Sequence, residues 1–309
     1  VRRLRRAWLL SAALFAAPAA ASGPNGFDLS KTVVPAAEIV AGGPARDAIH
    51  AVDEPEFAPP EQASAVGPRT PVIGVEIGGQ ARAYPVHVLE YHQIVNDELA
   101  GVPIAVTYDP LTGTPRVFRR EHQGKALRFG VSGLLWNGGF LMFDRGTESL
   151  WSQFEGRALS GPLAGSRLER QPVRQETMLD WLDRAPGSEF LERPDRKRID
   201  YRYSPFQNYW IEDEIPFQVK ARDRRYHAKE VVLGVVVKGR ARAYLGSIAT
   251  REEGRVDDRF EGARIRARYD TNTGLFRWDV PPGVDVTECY WFAWKAFHPD
   301  TTIWKDEPE

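Results

Sequence analysis

The chain has 309 residues, enough for one large core or two smaller ones. Its formal net charge is -1, with 41 Lys and Arg interspersed among 42 Asp and Glu, which removes the electrostatic case for nucleic acid or an anionic membrane. The single cysteine, Cys289, excludes an internal disulfide, and its neighbours Tyr290, Trp291 and Phe292 point to a buried, inert thiol rather than a reactive one.

The first 22 residues read as a signal peptide. Arg2, Arg3, Arg5 and Arg6 form a basic start, Ala7 to Ala17 is a short apolar run, and Pro18-Ala19-Ala20-Ala21-Ser22 supplies small residues for cleavage. The apolar run is too short to span a bilayer. Arg5-Arg6 faintly resembles a twin-arginine signal, but Leu4 stands where a polar residue is usual, so an ordinary secretory signal is expected. No later run is long enough for a transmembrane helix. The expectation is a mature protein that is exported, periplasmic or extracellular, with no transmembrane segment.

Residues 23–70 are rich in Pro, Ala and Gly and read as an extended lead-in anchored by Phe57, with disorder expected before about Ile49. Regular spacing starts at Pro71, where Ile73, Val75 and Ile77 alternate as in a strand. Gly78-Gly79 supplies a two-residue hairpin turn, and Ala81-Arg82-Ala83-Tyr84 runs back to Pro85. His92 to Asn96 and Val102 to Tyr108 read as two further strands around Ala100-Gly101. Tyr108-Asp109-Pro110-Leu111-Thr112-Gly113 then reads as a tight loop. Leu127 to Trp136 and Phe140 to Asp144 flank Asn137-Gly138, the strongest hairpin signal in the chain. Glu148 to Phe154 and Ser166 to Gln171 add strand candidates, and Leu179 to Leu182 reads as a short helix stopping near Pro186.

The same landmarks return downstream. Gly74, Val75, Gly79, Ala81, Arg82, Ala83 and Tyr84 each recur 160 positions later, as Gly234 through Tyr244. Tyr269-Asp270-Thr271-Asn272-Thr273-Gly274 repeats the Tyr108 loop at an offset of 161, which Arg116 and Arg277 keep. The helix beside Trp181 recurs beside Trp294 at an offset of only 113, so the first copy carries about 48 extra residues, broadly Leu127 to Arg170. The expected fold is mainly β (α+β), built of antiparallel, barrel-like sheets with short helices, and internally duplicated. Residues 71–195 form the first unit, 196–229 a connector, and 230–309 a second, shorter unit.

Five ordered motifs resemble one family. They are Tyr91 to Asp97, the Val106 to Gly113 loop, Phe129 to Leu134, Ser149 to Gln153, and Phe292 to Asp300. Together they are similar to the prokaryotic domain-of-unknown-function family 3179, from Ile49 to the C-terminus. That family implies no agreed activity. Its usual loop reads Y-C-P-L-C-G, which implies metal or redox work, but here Asp109 and Thr112 stand at the two cysteine positions. Thiol redox cycling and thiolate metal binding at this loop are therefore ruled out.

Oxygen and imidazole could still serve. Asp109 can bind a hard cation or act as a base, with His92 as the second candidate for a catalytic or metal-ligating role and His87 nearby. The plain alternative is that Asp109 caps its turn through backbone N–H groups, which its repetition as Asp270 favours. His298 marks a helix end, and His50, His122 and His227 have no evident partners. Ser132 lies in Gly130-Val131-Ser132-Gly133, not a nucleophile elbow, so a strand or bulge serine is expected. Asn137, Asp144, Arg145, Trp151 and Gln153 form a polar and aromatic group that could wall a pocket with Asp109, Thr112 and Ser132. An Asp–Arg pair beside a core Trp is the alternative.

Three functional readings follow. The leading one is an exported protein binding a small ligand or an envelope partner, without thiol redox chemistry and with no organic cofactor indicated. The second is a metal-assisted hydrolase or lyase using Asp109 and His92, with a metal ion as the one candidate cofactor. The third is a structural or partner-binding module.

Overall fold

The computed structural model describes residues 23–63, 66–195 and 197–306. The signal peptide expected at 1–22 lies outside the described residues. Strand accounts for 41% and helix for 14%, so the fold is mainly β, its sheets forming a half-barrel and a five-blade propeller-like ring.

The lead-in belongs to the fold. It contributes β1 (Ile39–Ala41) and β2 (Phe57–Ala58). The segment before Ile49, expected to lack fixed structure, is held by β1, and by Asn25, whose Nδ2 donates to Ser132 O at 2.8 Å.

The first unit begins with β3 (Pro71–Ile77) and β4 (Gln80–Pro85), joined through Gly78 and Gly79 at φ 57° and 78°. Helix α1 (Val86–His92) follows, so His92 ends a helix rather than starting a strand; Gln93 at φ 59° turns the chain out of it. Then come β5 (Ile94–Leu99), β6 (Val102–Asp109) and β7 (Thr114–Arg119), and the minor pair β8 (Glu121–His122) and β9 (Lys125–Ala126). The extra stretch forms β10 (Phe129–Trp136), β11 (Gly139–Asp144), β12 (Leu150–Ser152) and β13 (Arg157–Ser160). With β1 these make a five-stranded sheet, a larger element than the hairpin read from Asn137-Gly138. The unit closes with β14 (Glu169–Gln171), β15 (Arg174–Thr177), α2 (Met178–Arg184) and β16 (Glu189–Leu191).

The connector carries α3 (Gln207–Ile211). The second unit runs β17 (Val231–Val237), β18 (Arg240–Leu245), α4 (Gly246–Arg251), β19 (Arg255–Phe260), β20 (Ala263–Asp270), β21 (Leu275–Asp279), β22 (Asp285–Tyr290), α5 (Trp291–Phe297) and β23 (Thr302–Ile303).

The two units follow one plan. One sheet orders β15-β3-β4-β16-β2 and the other β22-β17-β18-β23, with the helix after β15 matched by the helix after β22. Most pairs are antiparallel, as expected, but β16 pairs with β4 and β23 with β18 in parallel. In the first unit the Trp181 ring packs on Gly74, and in the second the Trp294 ring packs on Gly234; a Cβ at either glycine would sit 2.2 or 2.3 Å from ring carbons. Arg82 and Tyr84 both bond Asp97, as Arg242 and Tyr244 both bond Asp258.

The units differ in what covers their second sheet. Over β5–β7 lies the extra sheet, whose Phe129, Met142 and Trp151 pack with Ile94, Ala105 and Phe118 in one core cluster. At the corresponding positions of β19–β21 stand Arg255, Arg266 and Asp279, all exposed. Across that bare face Arg255, Arg268 and Arg277 are direct register neighbours.

Candidate functional site

The Tyr108 loop sits where β6 turns into β7. Asp109 Oδ1 accepts from Leu111 N at 2.9 Å, as Asp270 Oδ1 accepts from Asn272 N at 2.9 Å in the second loop. Both carboxylates therefore cap their own turns. Asp109 does more: it is fully buried, and its Oδ2 accepts from Phe140 N at 3.0 Å, tying the loop to β11. Burial pushes its carboxyl up to about 6, against the opposing pull of the Phe140, Thr112 and Leu111 donors. Thr112 is equally buried and donates to Thr114 Oγ1 at 2.9 Å.

Of the sequence-picked residues of the extra sheet, Gln153 reaches the strands flanking this loop, and the others bond elsewhere in the fold. Ser132 Oγ donates to Leu141 O at 2.5 Å. Asn137 Nδ2 donates to Ala296 O at 2.8 Å, and its Oδ1 accepts from Lys220 N at 2.8 Å. Asp144 does not pair with Arg145. It accepts from Thr147 Oγ1 at 2.8 Å and from Trp151 Nε1 at 3.0 Å, while Arg145 reaches Asp47 at 2.6 Å. Gln153 Nε2 donates to Thr107 Oγ1 at 3.0 Å and Thr114 O at 2.9 Å, and its Oε1 has no partner. Ser132, Asp144, Trp151 and Gln153 are fully buried, so this group works as packing between the extra sheet and the first unit.

His92 faces another way. Its Nδ1 lies 2.7 Å from His50 O, which requires an N–H there; in the neutral ring Nε2 is then an acceptor, 2.6 Å from the Tyr201 hydroxyl, whose one proton also meets Pro194 O. Burial holds its pKa below the usual imidazole value, which suits this neutral form. Among the described residues no three His, Cys, Asp or Glu side chains are grouped to hold a metal ion.

On the far side of the Tyr108 loop the two units meet. Tyr290 N on β22 donates to Thr112 O at 2.7 Å. Gly113, at φ 66°, lies against the Tyr290 ring, where a Cβ would come within 2.8 Å. The connector latches on from outside: Tyr209 OH donates to Leu111 O at 2.9 Å and Trp210 Nε1 to Pro110 O at 3.3 Å.

Between these parts lies a cavity of about 260 Å³. Glu90 of α1, Tyr108 and Gly113 line it from the first unit, Thr273, Gly274 and Leu275 from the second loop. Glu288, Cys289 and Tyr290 form its β22 wall, and Trp210 reaches it from the connector. Glu90 is 7% exposed and its Oε2 has no hydrogen-bond partner. Burial lifts its carboxyl to about 7, opposed by the Ser204 hydroxyl. Glu288 is equally buried, with Oε1 held by Trp278 Nε1 at 3.1 Å and Oε2 without a partner; burial lifts it to about 8. Burial also raises the Tyr108, Tyr290 and Cys289 pKa values. A larger groove of about 750 Å³ lies at the β3–β4 turn, but there Arg82 and Arg184 are already paired with Asp97 and Glu176.

Residues 46–280 match the family model described as a protein of unknown function, DUF3179. The chain belongs to this family. The match ends before β22 and α5, so the terminal Phe292 to Asp300 motif and the β22 wall of the cavity lie beyond the matched residues. No curated protein and no solved structure matches the chain. Membership thus carries no activity, and Glu90, Glu288, Tyr290 and Trp210 were not singled out from sequence. The one available signal was Glu90, a lone carboxylate in the run Val86 to Tyr91, whose other residues are apolar or aromatic apart from His87.

Proposed function

We propose that this DUF3179 protein is an exported ligand-binding protein of the cell envelope that works without thiol redox chemistry, and that its ligand occupies the cavity between the two loops. The observation that carries this reading is a buried, partnerless carboxyl oxygen on Glu90 beside a cavity lined by both units. A buried polar atom without a partner is destabilising, and a ligand that supplies the partner recovers that loss. We read the two units as copies of one module, and a seam between copies is a common place for a pocket. Export rests on the basic and apolar leader at 1–22.

Several observations favour binding over the metal-assisted hydrolase reading. Asp109 directs its oxygens at backbone donors, and both His92 nitrogens are engaged. The test is a thermal-shift screen of small polar and charged compounds on the purified protein, repeated on Thr273→Trp, which fills the cavity from its rim. Compounds that raise the melting temperature of the wild type but not of the variant are expected. A screen without hits, or hits indifferent to Thr273→Trp, would remove the reading.

A further inference from the structure

We propose that the cavity takes a small organic cation, a primary amine or a guanidine; this rests on the cavity being the binding site. Three observations converge on that class. First, among the described residues Glu90 and Glu288 are the only ones lining the cavity that can carry a formal charge near neutral pH, and no described Lys, Arg or His lines it. Second, the walls include the rings of Tyr108, Tyr290 and Trp210, whose faces attract cations.

Third, the repeat itself does not call for a carboxyl at this place. In the second unit the position of Glu90 is held by Thr250, whose Oγ1 donates to Gly246 O at 2.8 Å, so the matching helix is complete without an acid. Three other enclosed carboxylates have an arginine, Asp97 with Arg82, Asp258 with Arg242 and Glu176 with Arg184, while the fully buried Asp109 and Asp144 are held by neutral donors on every side. Glu90 has only the Ser204 hydroxyl, and its Oε2 has nothing. A cationic ligand would stand where the fold elsewhere places a guanidinium.

Binding in this form releases a proton, because the buried carboxyl must ionise to meet the cation. The groups facing Glu90 are the Ser204 hydroxyl and the phenols of Tyr91, Tyr108 and Tyr290. Those facing Glu288 are Glu176, Arg174, Trp278 and Cys289. Burial lifts Glu90 to about 7 and Glu288 to about 8, so the proton comes from one of these two carboxyls.

Isothermal titration with benzylamine and benzamidine, against benzyl alcohol and benzoate, tests the class on the full protein. The cations are expected to bind at least about tenfold more tightly than the alcohol, with benzoate weakest. Their affinity should rise roughly tenfold from pH 6 to pH 8. Glu90→Gln, the same shape without the charge, should lose about tenfold in cation affinity and weaken the pH dependence to what Glu288 alone supplies, while Glu90→Thr restores the second-unit residue as a fold control. Equal or tighter binding of benzoate or benzyl alcohol overturns the cation assignment and leaves the cavity as a site for another class. Cation binding unchanged in Glu90→Gln, or flat with pH in the wild type, also overturns it. If none of the four probes binds and the broader screen yields no hit either, the binding reading itself falls.

Discussion

Replacing Asp109 with Asn separates the two things its carboxylate does in the fold. The wild-type group has its pKa raised from 3.8 to about 6 by full burial. At about 1.4 kcal/mol per pH unit that is on the order of 3 kcal/mol. The sign follows from which state holds the proton. Between pH 4 and 6 the unfolded chain ionises Asp109 while the folded chain keeps it protonated. The contribution is therefore present below 3.8 and lost as pH rises through about 6. Asn keeps an acceptor for Leu111 N but turns an NH2 toward Phe140 N, setting two donors face to face where the wild type has a 3.0 Å bond. That costs about 1–3 kcal/mol at every pH. Wild type should thus be the more stable well below pH 3.8, and its advantage should fall by about 3 kcal/mol, to zero or past it, on going to pH 7. Urea unfolding of both proteins across this range measures it. A gap that stays constant within about 0.5 kcal/mol would mean that burial does not control this carboxyl.

Three other outcomes are expected. Gly74→Ala and Gly234→Ala should each lower stability by at least about 1–3 kcal/mol, because the new methyl meets Trp181 or Trp294 at 2.2 or 2.3 Å; an unchanged urea midpoint would show that the rings shift freely. Arg268→Thr removes the middle of the Arg255, Arg268, Arg277 row and installs the residue type of its first-unit counterpart, Thr107; stability should rise by about 0.2–1 kcal/mol at low salt, and less in ~1 M salt. A loss at low salt would refute repulsion along the row. Cys289 is 1% exposed with its thiol pKa raised by burial, so a thiol reagent at pH 8 should leave the native protein unmodified and label it once in denaturant; rapid native labelling would contradict that burial.

Local chemistry in the chain was sufficient for the hairpins and for the short helices beside Trp181 and Trp294. Gly78-Gly79 and Asn137-Gly138 adopt the positive φ angles that two-residue turns need, and such turns depend on their own residues alone. His92 was misplaced into a strand because the end of α1 is set by Gln93 in a left-handed conformation, for which glutamine gives no warning. The role of the extra segment was also hidden in part. Burial on both faces of β5–β7 erases the alternation that Arg264, Arg266 and Arg268 still display on bare β20. Asp109 bonds Phe140 of the extra sheet, but Ser132, Asn137 and Arg145 turn to Leu141, Ala296 and Asp47, partners that no sequence signal marked. The cavity was beyond reach for a geometric reason: Glu90, Tyr108, Trp210 and Tyr290 lie on four separate segments, and only folding the second unit against the first brings them to one space.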